Sequence, residues 1–234
     1  MSQLFLVRHG QASFGAANYD QLSDLGYQQA RWLGEHFGGL DIKFDRVVAG
    51  SLARQQQTAQ EIQSGIGQSL PIDIDPGFNE FDFHTLTRIY CHSCNIELPG
   101  TSDGGRLFFQ MLRKAMVAWS QDELYAQTVP VQQPYPAALE TWDEFYQRVH
   151  SAMQSLSAPD DEQNVLVVSS GGAMAMAVSQ ILGCGVDTLI NLNLQTRNTG
   201  IHHFYFNQRG FQLAAFNNQP HLQRKDRLHA LTYT

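Results

Sequence analysis

Three short stretches hold residue types able to act on a phosphorylated or otherwise anionic molecule: Arg8-His9-Gly10, Ser51 with Arg54, and Ser169-Ser170-Gly171-Gly172. A guanidinium matches a phosphate through two parallel hydrogen bonds, so two arginines brought together make a natural cradle for a phosphoryl group. The Gly-Gly corner after an apolar run reads as a strand turning into a helix. Its free backbone N–H groups and helix dipole favour an anion. His9 is the candidate nucleophile, since an imidazole titrates near neutrality and attacks well when one ring nitrogen is free. Read alone, Arg8 and His9 are equally compatible with surface residues just past a strand, and the elements that would position them have to decide.

Leu4-Phe5-Leu6-Val7 is an apolar run that reads as a buried strand feeding directly into Arg8-His9-Gly10. The carboxyl ends of strands are where open α/β sheets bind ligands. Ser23 or Asp24 is placed to cap a helix from about Leu25 to Phe37, stopped by Gly38-Gly39. Asp45 to Gly50 reads as a second strand, with Ser51 capping a helix from Leu52 to about Gln63 that carries Arg54 in its first turn. Pro71 to Asp75 alternates as an edge strand does, and Phe78 to His84 is aromatic and acidic, with Glu80 and Asp82. Thr141-Trp142-Asp143-Glu144 forms a capping box for a helix to about Ser157. Asn164 to Ser169 is a strongly apolar strand leading to the helix Ala173 to Leu182, and Ile201–Phe206 with Phe211–Phe216 reads as a hairpin. Alternating strands and helices argue for an α/β sheet layered by helices. Residues 85–138 differ in character. They hold Cys91-His92-Ser93-Cys94, a turn at Pro99-Gly100, a helix near Arg106 to Trp119 and prolines at 130, 134 and 136, and read as an insertion or cap within a single domain spanning 1–234.

Bulk properties narrow the classes. The chain has 234 residues, 43% hydrophobic and 11% aromatic, which suits one large domain with a real core. A formal net charge of -7 makes a nucleic-acid surface a poor expectation. The opening apolar run is too short for a secretory segment, and nothing approaches the ~20 apolar residues of a membrane helix. Three cysteines make a poor disulfide framework, so a cytoplasmic, reduced protein is expected. Cys91 and Cys94 lack the second ligand pair that a structural zinc site would need, and no metal or cofactor is expected. A serine-hydrolase corner fails because Val167 and Val168 stand where Gly-x-Ser-x-Gly needs its first glycine. The residues Gln223 to Arg227 read as a solvated face, and Met174 and Met176 as core.

Leu6-Val7-Arg8-His9-Gly10-Gln11 resembles the signature of the histidine phosphatase superfamily, the phosphoglycerate-mutase-like proteins. Leu22-Ser23-Asp24-Leu25-Gly26 with Gln29-Ala30 resembles the family's helix start. Ser51-Leu52-Ala53-Arg54 followed by Gln57-Thr58-Ala59 resembles its second-arginine motif, and Asn79-Glu80 falls where the family keeps an acidic proton donor. Val167 to Gly172 matches the family's V-V-S-H-G-G corner except that Ser170 stands in place of histidine.

The resemblance implies a three-layer α/β/α sandwich with residues 85–138 as part of a lid. It implies phosphomonoester hydrolysis through phospho-His9. In that scheme Arg8 and Arg54 neutralise charge, Glu80 acts as proton donor with Asp82 as competitor, and Ser170 and Gly171 complete the phosphate site beside Arg8 and Arg54. Ser170 cannot supply an imidazolium charge, and losing one preorganised charged donor costs on the order of 10²–10³ in rate. Three accounts follow: a slow enzyme, a pocket completed by His84, His92, His202, His203 or His221, or a protein that binds phosphoesters without turnover. The family's mutases have a Ser and an Asn where this chain has Ala12 and Gly15, which points away from a mutase and towards a phosphatase. The expected partner is a small phosphorylated substrate or inorganic phosphate, not nucleic acid or membrane. Oligomeric state is not encoded in any visible pattern.

Overall fold

The computed structural model describes residues 1–13, 20–100, 105–126, 139–156 and 162–233. Gly15 and the prolines at 130, 134 and 136 lie outside them. Six strands, β1 (Ser2–Arg8), β2 (Arg46–Ala49), β3 (Ile72–Ile74), β4 (Asn164–Ser169), β5 (Ile201–Asn207) and β6 (Gly210–Asn218), form one sheet in the order β3-β2-β4-β1-β5-β6. The first four of that order run parallel, while β5 lies antiparallel to both β1 and β6.

Helices cover both faces, as the alternating pattern predicts. On one face, α1 (Asp24–Gly39) and α2 (Ala53–Ile66) pack Ala30, Leu33, Phe37, Ala59 and Ile62 against Phe5, Val7, Val47 and Val168. On the other face lie α4 (Arg106–Ser120), α6 (Trp142–Gln154), α7 (Gly171–Leu182) and α8 (Val186–Gln195), with Leu4, Leu6, Val167 and Phe204 beneath them. The shorter α3 (Phe83–Ser93) and α5 (Glu123–Ala126) complete that side. Successive residues of β1 alternate between these two clusters, so both faces are buried and the strand reads as an unbroken apolar run. The described part of residues 85–138 adds Leu86, Leu112, Met116 and Trp119 to the second cluster and so shares the core of the sheet.

Local chemistry accounts for the helix starts. Ser23 caps α1 by accepting from the Gly26 N–H, and the Thr141–Glu144 capping box starts α6 as expected. Ser51 does not cap α2. The N-cap is Leu52, and the Ser51 hydroxyl instead accepts a hydrogen bond from Asn79 Nδ2 at 2.8 Å. The helix starts one residue later because the Gln55 side chain reaches back toward the Leu52 N–H, the task a capping serine would otherwise share. Both α3 and α8 were absent from the sequence expectations, their turns being rich in polar and β-branched residues.

Candidate active site

The strand order places β2, β4 and β1 side by side, so the three chemistry-bearing stretches meet at adjacent carboxyl ends of one parallel sheet. The register pairs Arg8 with Ser169, and the His9 N–H donates to the Ser169 carbonyl at 2.9 Å. Just past β1 the chain turns sharply against α1. A Cβ on Gly10 would stand 2.4 Å from the Gly26 carbonyl oxygen, and one on Gly26 would stand 2.1 Å from that of Gln11. Only a pair of glycines lets these backbones approach so closely.

His9 is almost wholly buried, at 3% exposure. Its Nδ1 lies 2.7 Å from the Gly10 carbonyl oxygen, which can only accept, so Nδ1 carries the proton in that contact. Nε2 then holds the lone pair and accepts from Arg54 Nε at 3.2 Å. Burial, with the Arg54 and Arg8 cations, pushes the imidazole well below its usual pKa, so the ring is neutral at physiological pH. A neutral imidazole with Nε2 unprotonated is the nucleophilic form.

Arg54 sits in the first turn of α2 and is itself 5% exposed. Its Nη1 pairs with Asp20 Oδ1 at 2.8 Å, while Asp20 Oδ2 accepts from the Ala53 N–H at 2.9 Å. Thr58, one turn further along, donates to the Arg54 carbonyl at 2.7 Å and accepts from the Gly10 N–H at 3.0 Å, tying α2 to the end of β1. Arg8 donates through Nη1 to the Thr196 and Tyr233 carbonyls.

Glu80 follows a short 3₁₀ turn at Pro76–Phe78. Its Oε2 accepts from the Gly172 N–H at 3.0 Å, at the start of α7. A Cβ on Gly172 would stand 2.2 Å from Glu80 Oε1, so the second glycine of the corner makes room for this carboxyl. Burial raises the Glu80 pKa; the Gly172 N–H and the Arg54, Arg8 and Arg148 cations act against that rise. Asp82, its competitor in the sequence, caps α3 by accepting from the Thr85 N–H. Of these two carboxyls, Glu80 is the one shown to feel the Arg54 and Arg8 cations.

Ser170 and Gly171 stand at the same corner. A Cβ on Gly171 would lie 3.7 Å from Arg8 Cζ. Ser170 is fully buried and its Oγ accepts from Gln55 Nε2 at 2.9 Å. Three of the alternative histidines are engaged elsewhere: His202 accepts from the Asn217 N–H, His203 meets Gln3, and His221 pairs with the Thr199 hydroxyl. Burial holds His202 and His221 at about 3, so neither supplies an imidazolium near neutral pH. His84 lies on α3 against Phe83 and Phe108. Asp20 and Gln55 were not anticipated. Asp20 sits in a polar loop with no periodicity, whereas Gln55 could have been read from its i, i+3, i+4, i+7 relation to Thr58, Ala59 and Ile62 on the buried face of α2.

Among the described residues no group of three or more His, Cys, Asp or Glu is placed to hold a metal ion. Cys91 is buried and Cys94 exposed, both as free thiols. No described helix is long and apolar enough to cross a membrane.

The model of the histidine phosphatase superfamily (branch 1) matches residues 4–99 and 109–219, nearly the whole chain. The chain belongs to that superfamily. Among its relatives, the Hydrogenobacter thermophilus protein named "Putative phosphoserine phosphatase 2" is 25% identical over 96% of this chain and 99% of its own. An Erwinia tasmaniensis protein named "Probable phosphoglycerate mutase GpmB" is 27% identical over 83% of this chain and 81% of its own. The fold is shared with a phosphoserine phosphatase variant from Entamoeba histolytica, solved in complex with phosphoserine. It superposes with a TM-score of 0.63 at 20% identity, covering 95% of this chain and all of that one.

Proposed function

We propose that the protein is a phosphomonoester hydrolase that acts on a small phosphorylated molecule through a phosphohistidine on His9. The observation that carries this reading is the placement of a neutral, Nδ1-protonated His9 with its Nε2 lone pair against the Arg54 guanidinium. In the first half-reaction Nε2 forms a bond to phosphorus as the ester P–O bond breaks, and Glu80 donates a proton to the departing oxygen. Arg8 and Arg54 stabilise the negative charge on the non-bridging oxygens, with the N–H groups at the start of α7 beside them. In the second half-reaction Glu80, now a carboxylate, takes a proton from water as its oxygen bonds to phosphorus and the P–Nε2 bond breaks, which releases phosphate and restores His9. Two guanidiniums meet the charge a metal would otherwise meet, so the scheme asks for none. The lid expected of residues 85–138 belongs to this proposal as the segment that selects the rest of the substrate.

The relatives' names, phosphoserine phosphatase and phosphoglycerate mutase, support a phosphatase or a mutase acting on a small phosphorylated molecule. The phosphoserine bound to the Entamoeba protein supports the same size of ligand. A second reading, binding without turnover, is favoured by the neutral Ser170 beside His9 and by the Asp20 carboxylate already on Arg54. Hydrolysis of a generic aryl phosphate by the purified protein, with His9→Ala as control, separates the two. If wild type and His9→Ala are equally inert while phosphate still binds, the enzyme reading is lost. Mutase activity, the third reading, would appear as phosphoryl transfer exceeding phosphate release.

A further inference from the structure

We infer that Gln55 is a positioning residue whose carboxamide, paired with Ser170, clasps together the three segments that carry Arg54, Glu80 and the Gly171-Gly172 corner. This rests on the hydrolase reading for its kinetic consequences but not for its geometry. Gln55 is fully buried and follows Arg54 directly in α2. Its Nε2 donates one proton to the Phe78 carbonyl at 3.0 Å and the other to Ser170 Oγ at 2.9 Å. Phe78 lies two residues before Glu80, and Ser170 immediately precedes Gly171. Ser169 adds a bond of 2.8 Å from its hydroxyl to the same Phe78 carbonyl. On its other side the carboxamide Oε1 faces the Leu52 N–H at 3.4 Å, at the start of α2. One amide therefore spans the helix that bears Arg54, the turn that bears Glu80 and the strand end beside His9.

The space around it is filled. A Cβ on Gly50 would stand 2.0 Å from Gln55 Oε1 and 2.6 Å from Asn79 Oδ1, so the bare backbone at Gly50 makes the room the carboxamide fills. Ser170 is the N-cap of α7 yet makes no capping bond with its side chain. Its hydroxyl is given over to Gln55. An imidazole at position 170 would extend several atoms beyond the serine hydroxyl, into the place the Gln55 amide occupies. Ser170 and Gln55 are therefore matched to each other: a small side chain at 170 needs a long polar one at 55 to fill and hydrogen-bond the same volume. Interiors packed to this density do not accept one change without the other.

The test is a cycle of variants assayed for aryl-phosphate hydrolysis, inorganic-phosphate affinity and melting temperature. Gln55→Met keeps the volume and removes both donors. It is expected to lower kcat about ten- to a hundredfold through misplacement of Glu80 and Arg54, with little change in KM. Ser170→His alone is expected to melt earlier and gain no rate. Gln55→Ala with Ser170→His is expected to exceed both Gln55→Ala and Ser170→His alone in kcat, and these two singles with the double complete the cycle. It should also acquire an additional ionisation in its kcat/KM profile, contributed by the added imidazole. A rate gain from Ser170→His with Gln55 intact would overturn the pairing, as would Gln55→Met with wild-type kcat and pH profile. If wild type proves as inert as His9→Ala, the hydrolase reading fails, and the pairing is then decided by stability and binding. Single-variant effects on melting temperature and phosphate affinity that simply add would refute it, and a double variant better than their sum would uphold it.

Discussion

The two guanidiniums of the site are held in opposite ways. Arg8 ends a central strand and donates to backbone carbonyls, among them those of Thr196 and Tyr233. Arg54 rides on the first turn of a helix and meets a carboxylate, Asp20, and an imidazole, His9. An anion arriving at Arg54 finds a charge already shared, for which it must compete with Asp20. The difference assigns the arginines separate work. In the proposed reaction Arg8 serves as an anchor held by backbone carbonyls, while Arg54 couples the anion to the nucleophile, because Arg54 donates to His9 Nε2.

Removing either arginine should produce the largest losses. Arg8→Ala and Arg54→Ala are each expected to lower kcat/KM on the order of 10²–10³, the usual cost of a preorganised donor in such a site. The comparison predicts that the two losses differ in pH dependence. His9 must be neutral to attack, and its pKa is depressed by burial first, then by Arg54, then by Arg8. Deleting Arg54 takes away the larger cationic contribution, so the pKa rises toward 6.5 and the acid limb of kcat/KM moves to higher pH. Arg8→Ala should move the same limb less. An NMR titration of His9 in both variants checks this, and equal shifts would erase the distinction between anchor and coupler.

Asp20→Asn comes next in size. It keeps the shape and one of the two acceptor oxygens but returns a whole charge to Arg54. Phosphate, as a competitive inhibitor, should then bind more tightly while kcat falls about three- to tenfold, because the anion gains ground-state binding as the guanidinium loses its tether. Weaker phosphate binding would mean that Asp20 is a tether and nothing else, and that the two arginines meet an anion on equal terms.

Much of the anchor side was legible in the sequence and much of the coupling side was not, for the same physical reason. Arg8 and His9 follow four apolar residues, a run whose burial on both faces is visible without knowing its neighbours. The Gly171-Gly172 corner follows a second such run. Glu80 was distinguishable from Asp82 only as a preference, since the choice depends on the Gly172 N–H, which is 92 residues away in sequence. Asp20 and Tyr233 reach the arginines through loops that carry no periodic signal. Gln55 stands first in three consecutive glutamines, and its inward direction shows only once the helix phase is set by Thr58, Ala59 and Ile62. Ser51, which looks like a cap, is bonded to Asn79 because Gln55 serves the helix start from inside the core.

The smallest effect tests whether charge reaches Glu80 from outside the two arginines. Arg148 donates to the Gly77 and Asn79 carbonyls at 3.0 and 2.8 Å, and forms a two-pronged ion pair with Glu140 at 2.6 and 2.7 Å. Its cation is the last of the groups that act against the burial-raised pKa of Glu80, after the Gly172 N–H, Arg54 and Arg8. Glu80 must be protonated to serve the leaving oxygen. Removing the cation lets its pKa rise further, so the alkaline limb of kcat/KM should move to higher pH in Arg148→Gln. The shift should be smaller than the one produced by removing Arg54 or Arg8, because Arg148 is the weakest of the three cations on Glu80 and Glu140 neutralises much of its charge. The same variant should lose about 1–2 kcal/mol of stability from the two carbonyls left short of a donor. Arg148→Lys separates the causes, since it keeps the charge and loses the forked geometry. Its limb should stay near wild type while its melting temperature falls. A shifted limb in Arg148→Lys would show that Arg148 acts on Glu80 by holding the 77–79 turn, and would leave Arg8 and Arg54 as the cations that set the proton donor.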